Sequence, residues 1–257
     1  MITNTERIGH FTSSEIYRLI GGSSRAKKQA ENGFPDVVMT YIIEKIEERN
    51  LGRSLGTETT ANALKWGKCL EAYAHKRVNT SFEYSLIGDE TTRHNKIECW
   101  SGSVDVLKID TAGDIKCPYT LKSFVGLIRP LYLGFNGMDA MNMLRNGFEH
   151  NGIKYEKHKD AEKYYWQIVS NACIHSKQFG ELIVYMPYQC DLELIKEELN
   201  GEPDYYFLTF AKDEDLPYLP KESKYKDINV IRFEIPQEDK DLLTEKVKLA
   251  SELLTKY

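Results

Sequence analysis

The stretch from Ser103 to Pro118 constrains the fold more than any other part of the chain. Two short runs, Ser103–Ile109 and Asp114–Cys117, are rich in β-branched and apolar residues, and the turn signal Asp110-Thr111-Ala112-Gly113 divides them. Pro118 closes the second run, because proline has no N–H to give to a strand ladder. A hairpin is predicted here, and the rest of the chain must supply the layers that cover it.

On the N-terminal side the signals are mostly helical. Thr12-Ser13-Ser14-Glu15 has the capping-box pattern ahead of Ile16, Leu19 and Ile20, and Gly21-Gly22 stops that helix. Residues 22–35 are polar and basic and read as a loop. Helices are predicted over 36–49, from Val38, Ile42 and Ile46 on one face, and over about 57–78. Strands are expected at 82–86 and 96–100, before the hairpin. Beyond Pro118, helical patterns fall at 120–128, 138–148 and 160–178, strands at 181–188, 205–210 and 228–235, and a closing helix at 237–255. No repeat, low-complexity tract or composition break marks a boundary. The expectation is one α/β domain over residues 1–257.

Charge narrows the function classes. With 34 Lys plus Arg against 39 Asp plus Glu, the net charge of −5 excludes a protein that coats nucleic acid with its whole surface, but leaves room for a local basic groove. The five cysteines, at 69, 99, 117, 173 and 190, form no CxxC pair, which argues against a zinc ribbon or a disulfide framework. No apolar run approaches the ~18 residues of a membrane span. Met1–Glu6 lacks the basic start and apolar stretch of a signal peptide. A cytoplasmic protein with no membrane partner is expected.

Chemistry concentrates on the hairpin. With a four-residue loop at 109–112, Asp114 falls opposite Leu107 and on the same face as Asp105, a diagonal neighbour roughly 7–8 Å away. Lys116 projects from that face too. Two acids and a lysine suit phosphodiester hydrolysis assisted by Mg²⁺: the acids hold the ion, and the ammonium orients water and offsets developing charge. The competing reading of an Asp-x-Lys strand is a solvated edge with a cross-strand ion pair. Gly67 lies one helical turn before Glu71, and either clears room beside that acid or serves close helix packing. Gln167 follows Tyr164-Tyr165-Trp166 on a helix, where it either donates to a phosphate or is incidental.

Taken in order, these segments resemble the lambda-type phage exonucleases, the YqaJ-like viral recombinase branch of the PD-(D/E)XK nucleases. The resemblance runs through Arg7–Glu15, Ala63–Lys68 with Glu71 and Ala74, Ser103–Leu107, Asp114–Thr120 and Gln167. It implies a restriction-endonuclease-like core, a mixed central sheet flanked by helices. It further implies metal ligands in Asp105, Asp114 and the backbone carbonyl of Ile115, with Glu71 completing the site and Lys116 as the catalytic lysine. Arg7 and Ser14 match positions that grip the 5′-phosphate of a DNA end, and Gln167 a phosphate-contacting glutamine. The implied activity is 5′-to-3′ digestion of double-stranded DNA with Mg²⁺, or Mn²⁺ in its place. That activity releases 5′-mononucleotides and leaves 3′ single-stranded tails for recombination. The implied partners are duplex DNA ends, two further copies in a ring-shaped homotrimer, and a single-strand annealing protein. An endonuclease or nickase on the same core, and a decayed DNA-end-binding protein, are the alternatives. Three departures stand out. Asp114 replaces the usual glutamate, and Ser103-Val104-Asp105-Val106 lacks the usual proline and glycine. About twenty extra residues also intervene between Ser123 and Gln167, an insertion around 130–160.

The remaining signals point less sharply. No two of the six histidines have zinc-ligand spacing with a nearby Cys or acid. Gly21–Lys28 lacks the Gly-Lys-Ser/Thr ending of a phosphate loop, and reads either as a basic loop at a DNA entrance or as a solvated one.

Overall fold

The computed structural model describes residues 7–21, 34–56, 61–81, 85–86 and 90–256. Almost all of the loop expected at 22–35, the start of the helix expected from 57, and residues 82–84 of an expected strand lie outside these. In chain order the elements begin with β1 (Phe11–Thr12), α1 (Tyr17–Ile20), α2 (Asp36–Leu51), α3 (Asn62–Ser81), β2 (Ser85–Leu86) and β3 (Thr92–Arg93). Then come β4 (Trp100–Gly102), β5 (Val106–Leu107), β6 (Thr111–Lys116), α4 (Leu121–Tyr132) and α5 (Gly137–Asn146). The chain continues through β7 (Phe148–His150), β8 (Ile153–Tyr155), α6 (Ala161–Ile174), β9 (Phe179–Tyr185) and α7 (Gln189–Glu198), to α8 (Tyr206–Thr209), β10 (Ile228–Glu234) and α9 (Gln237–Leu254).

The central sheet is mixed, in the order β10-β9-β6-β5-β2. Strand β9 runs parallel to β6 and antiparallel to β10, and β6 runs antiparallel to β5. Every residue of β6 from Thr111 to Ile115 is buried, polar Thr111 and Asp114 included, the pattern of a strand covered on both faces. Helix α6 packs on β6 and β9, and α3 on β6. A second sheet, β1-β4-β3, joins the N-terminal segment to Trp100–Gly102. Gly102 has a packing reason: a Cβ there would overlap the hydroxyl of Ser13 and crowd Asn171 Oδ1. Trp66, Trp100, Tyr41, Tyr165 and Phe11 are among the large side chains of the core.

Several expectations are corrected. The hairpin turns through Ile109-Asp110, with the Lys108 N–H donating to the Thr111 carbonyl at 2.9 Å, so residues 111–113 are strand rather than turn. The first hairpin strand contracts to Val106–Leu107, and the strand expected at 96–100 starts only at Trp100. The tract 205–210 forms a 3-10 turn over Pro203–Tyr205 and then α8, not a strand. Pro203 opens that turn, and Tyr206 and Phe210 pair their rings four residues apart, 5.0 Å between centroids, a helical spacing. The N-terminal helix begins at Tyr17, after a series of i→i+3 turns. Glu15 turns its carboxylate to Lys163 and Arg18 instead of closing a capping box on Thr12.

Candidate active site

The two-residue turn decides where the acids meet. Val106 pairs with Gly113 and Leu107 with Ala112, so the same register sets Asp105 opposite Asp114, closer than the diagonal placement expected from a four-residue loop. The regular ladder stops at Val106 because Asp105 pairs differently. Its carboxylate Oδ2, not its backbone, accepts the Ile115 N–H, at 2.6 Å. That bond fixes Asp105 onto β6 and leaves it facing Asp114.

Asp114 is almost fully buried, at 1% exposure. Its Oδ1 accepts from Gln167 Nε2 at 2.6 Å, and its Oδ2 lies 2.6 Å from the ammonium of Lys116. Gln167 also accepts from Lys116 Nζ through Oε1, at 3.3 Å. Lys116 stands over the ring of Tyr164, 5.0 Å from its centroid. Four of the residues singled out in the sequence, Asp105, Asp114, Lys116 and Gln167, therefore form one cluster between β5, β6 and α6.

Its electrostatics follow from burial and proximity. Burial, then the neighbouring charge of Asp114, and beyond Lys116 that of Glu71, raise the Asp105 carboxyl well above the usual range; Lys116 and the Ile115 N–H act in the opposite sense. Burial works against the charged form of Lys116, but Asp114 and Asp105 outweigh it and hold the ammonium protonated. The Tyr164 hydroxyl is pushed up to about 12 by burial, so it stays a neutral phenol. The cluster is a pair of facing acids with one compensating cation.

Glu71 stands less close. Its charge is felt at Asp105, and its Oε1 lies 3.9 Å from His75 Nε2 one turn along α3. Among the described residues no three His, Cys, Asp or Glu side chains gather tightly enough to hold a metal ion between them. Close helix packing does not explain Gly67: a Cβ there meets nothing within 4 Å, so the glycine opens onto free space one turn from Glu71.

Arg7 and Ser14 come together, Arg7 Nη2 to Ser14 Oγ at 3.4 Å. Ser14 sits in the turn before α1 and not in the first turn of a long helix, which removes the helix-end argument for a phosphate at this point. What positions the pair is a set of polar residues not singled out in the sequence. Ser13 Oγ and Ser170 Oγ are 2.8 Å apart, and Trp100 Nε1 donates to the same Ser170 oxygen at 2.8 Å. Asn171 Nδ2 donates to the Ser103 carbonyl at 3.2 Å. Gln167, Ser170 and Asn171 occupy positions i, i+3 and i+4 of α6, a buried polar face whose spacing is visible in the sequence.

The sequence matches no family model and no curated protein. Its fold is similar to solved structures. One is an alkaline exonuclease from Laribacter hongkongensis: TM-score 0.57, 15% identity, covering 97% of this chain and 89% of that one. Another is a phage-related exonuclease from Haemophilus somnus: TM-score 0.58, 15% identity, covering 95% and 93%. A structure of the Laribacter enzyme in complex with dAMP aligns at TM-score 0.51 and 15% identity, covering 98% and 89%. The mixed α/β architecture of this chain is thus the fold of these exonuclease structures.

Proposed function

We propose that this protein is a metal-dependent deoxyribonuclease that degrades double-stranded DNA from 5′ ends. The observation that carries the reading is the cluster itself: Asp105 opposite Asp114, with Lys116 held between Asp114 and Gln167, in the fold of solved exonucleases. The donor set fits a hard divalent cation. It is all oxygen, and burial and the charge of Asp114 disfavour ionisation of Asp105 in a way that bound positive charge would relieve. Asp105, Asp114 and the Ile115 carbonyl would hold Mg²⁺, or Mn²⁺ in its place, with Glu71 as the further carboxylate. When bound, such an ion polarises the phosphate and lowers the pKa of water.

The chain's own residues do the rest. The Ile115 N–H and the amide of Gln167 each take one lone pair of an acid, so neither carboxylate rotates freely. Lys116 keeps its proton next to Asp114 and presents a fixed positive charge where negative charge develops on the phosphate. Arg7 has no carboxylate partner among the described residues, and its guanidinium and the Ser14 hydroxyl offer donors to a terminal 5′-phosphate. By resemblance, the wider setting is phage-type recombination, with a homotrimer enclosing the duplex and a single-strand annealing protein taking the 3′ tail.

Linear duplex labelled at either end, incubated with and without Mg²⁺ beside closed circular duplex, tests the reading. Mononucleotides should leave from 5′ ends, only with metal, and the circle should survive. Cutting of the circle would make the enzyme an endonuclease, and full turnover in excess EDTA would remove the metal.

A further inference from the structure

The insertion that separates β6 from α6 builds a feature the cluster does not use. Helix α5 and the β7–β8 hairpin fold back toward α4 and leave a cleft of about 560 Å³ between them. Five cations line it, Lys122 and Arg129 from α4 and Lys154, Lys157 and Lys159 from the insertion, against one acid, Glu156. In a chain of net charge −5 this is a concentrated patch of the opposite sign. Lys154 and Lys159 have carboxylates only at 4.0 Å, in exposed pairs worth little in water. Among the described residues no carboxylate lies within 4 Å of the cationic nitrogens of Lys122, Arg129 or Lys157.

We propose that this cleft holds the phosphodiester backbone of the substrate DNA a few nucleotides from the phosphate that reacts at Lys116. The inference rests on the nuclease reading for its substrate, and on the cleft for its chemistry. Its floor connects directly to the cluster. Lys116 lies over Tyr164, whose ring centroid is 6.3 Å from that of His158, and His158 hydrogen-bonds Ser123 at 3.2 Å in the cleft wall. One aromatic ring therefore separates the catalytic lysine from the cleft, about three nucleotides at ~3.4 Å of rise each.

The lining selects phosphate over bases. Tyr155 is stacked on Phe148 at 4.7 Å and carries the Arg129 guanidinium 5.0 Å from its ring centroid, so these contacts compete for the ring faces a base would use. Nor are Ser123 and His158 a nucleophile and base: His158 Nδ1 accepts the Asp160 N–H at 3.3 Å, so Nε2 carries the proton and donates to Ser123. What the cleft offers is charge without sequence readout, the chemistry of backbone contact.

The test measures DNA affinity in EDTA across a salt series for the unmodified protein and Lys122→Gln/Lys157→Gln, both exposed positions. Each lost phosphate contact lowers the slope of log affinity against log salt by ~0.9 on duplex and ~0.7 on single strands. The double variant should therefore lose about 1.8 on a duplex if the backbone is seated as duplex, and about 1.4 on a single-stranded probe if it is seated unpaired. Lys122→Arg/Lys157→Arg should keep the slope. A charge-matched Lys212→Gln/Lys256→Gln control should also keep it; an equal loss there would reduce the effect to net charge and overturn the cleft. In turnover the cleft variant should raise KM and leave kcat unchanged, the mark of uniform binding. An unchanged slope, or a change in oligomeric state with none in DNA affinity, would overturn the proposal. Should the unmodified protein cleave no DNA while the slope still falls, the nuclease reading fails and the DNA-binding cleft stands.

Discussion

Gln167 Nε2 donates to Asp114 Oδ1 at 2.6 Å, across 53 residues of sequence and between α6 and β6. The bond turns a residue expected to touch phosphate inward, onto an acid and the lysine beside it. Gln167→Ala should then lower activity by ~10–100-fold, the usual effect of removing the partner that orients a ligand. A positioning role predicts that the loss falls on kcat, with DNA affinity in EDTA unchanged. A loss confined to KM would return Gln167 to direct phosphate contact.

Asp114 is 1% exposed, with its Oδ1 2.6 Å from the Gln167 amide and its Oδ2 2.6 Å from the Lys116 ammonium. A longer acid would drive its carboxylate into these two partners. Asp114→Glu should therefore lose most activity even though it introduces the glutamate usual in the nucleases that the sequence resembles, and Asp114→Glu/Gln167→Asn, which moves the methylene from one partner to the other, should recover part of it. Steady-state rates on linear duplex measure both. Lys116→Ala should cost ~10²–10³ in kcat, the scale of losing one preorganised charge partner.

Burial and the charge of Asp114 both oppose ionisation of Asp105, so its carboxyl is held well above the usual range at a cost to the fold. Asparagine keeps an oxygen for the Ile115 N–H and removes the charge. Asp105→Asn should abolish cleavage and, without metal, raise Tm by about 2–4 °C, the shift expected from ~1 kcal/mol in a chain of this size. Calorimetry in EDTA measures it; a lower Tm would mean that the acid pair is not a source of strain.

How far the sequence could be read follows from which interactions are local. Helices α2 and α9 and strand β10 agree with the expected segments within a few residues, because each keeps one period along its length. The parity of the hairpin turn placed both acids on one face, since any even loop does. Its length was not legible: Ile109-Asp110 forms the turn because the Lys108 N–H finds the Thr111 carbonyl, and composition alone favoured the Asp-Thr-Ala-Gly run. The hairpin in the insertion was missed although Asn151-Gly152 announces it. Both residues have positive φ, +50° and +74°, as a two-residue turn of this type requires. Tyr205–Phe210 misled through aromatic content, which favours strands only where alternate residues are buried; here Leu208 is buried and Phe210 exposed. The polar face of α6 was missed because Ser170 and Asn171 are ordinary residues until Trp100, Ser13 and Ser103 meet them from distant segments.

Glu48 ties the N-terminal segment to α2. This buried carboxylate accepts from the Gly9 N–H at 3.0 Å and Lys45 Nζ at 2.8 Å, and more weakly from the Leu55 N–H at 3.4 Å. Burial pushes its pKa up, but the bonds from Lys45 and Gly9 outweigh burial and hold it below the ordinary value of 4.5. A depressed carboxyl stabilises the fold above its unfolded pKa and loses that contribution as pH falls through the folded one. Glu48→Gln should lower stability by ~1–3 kcal/mol near neutrality, and the gap between variant and unmodified protein should narrow as pH falls from the ordinary carboxylate value through the lower folded one. Urea melts at several pH values measure it; a gap that stays constant into acid would rule out the ionised form as the stabilising species.

Preference for a phosphorylated 5′ end would rest on Arg7 and Ser14. Their 3.4 Å contact is long for a hydrogen bond, so most of the guanidinium's donor capacity remains available. Gly9, two residues on, has φ +65°, and its carbonyl accepts from Arg49 Nε at 3.0 Å, so the turn carrying Arg7 is braced from α2 as well as through Glu48. Ser13, bonded to Ser170 on the helix that bears Gln167 one turn earlier, fixes Ser14 relative to the cluster. A terminal phosphate carries more negative charge than an internal diester, and a guanidinium can clasp it through two parallel hydrogen bonds. Linear duplex with 5′-phosphate should therefore be digested faster than duplex with 5′-hydroxyl, and Arg7→Ala should erase most of the difference while leaving the slower rate on 5′-hydroxyl ends unchanged. Ser14→Ala should weaken the preference less, since a hydroxyl contributes one neutral bond where the guanidinium contributes charge as well. Equal rates on both ends in the unmodified protein would place the 5′-phosphate elsewhere and leave Arg7 a solvated charge on a braced turn.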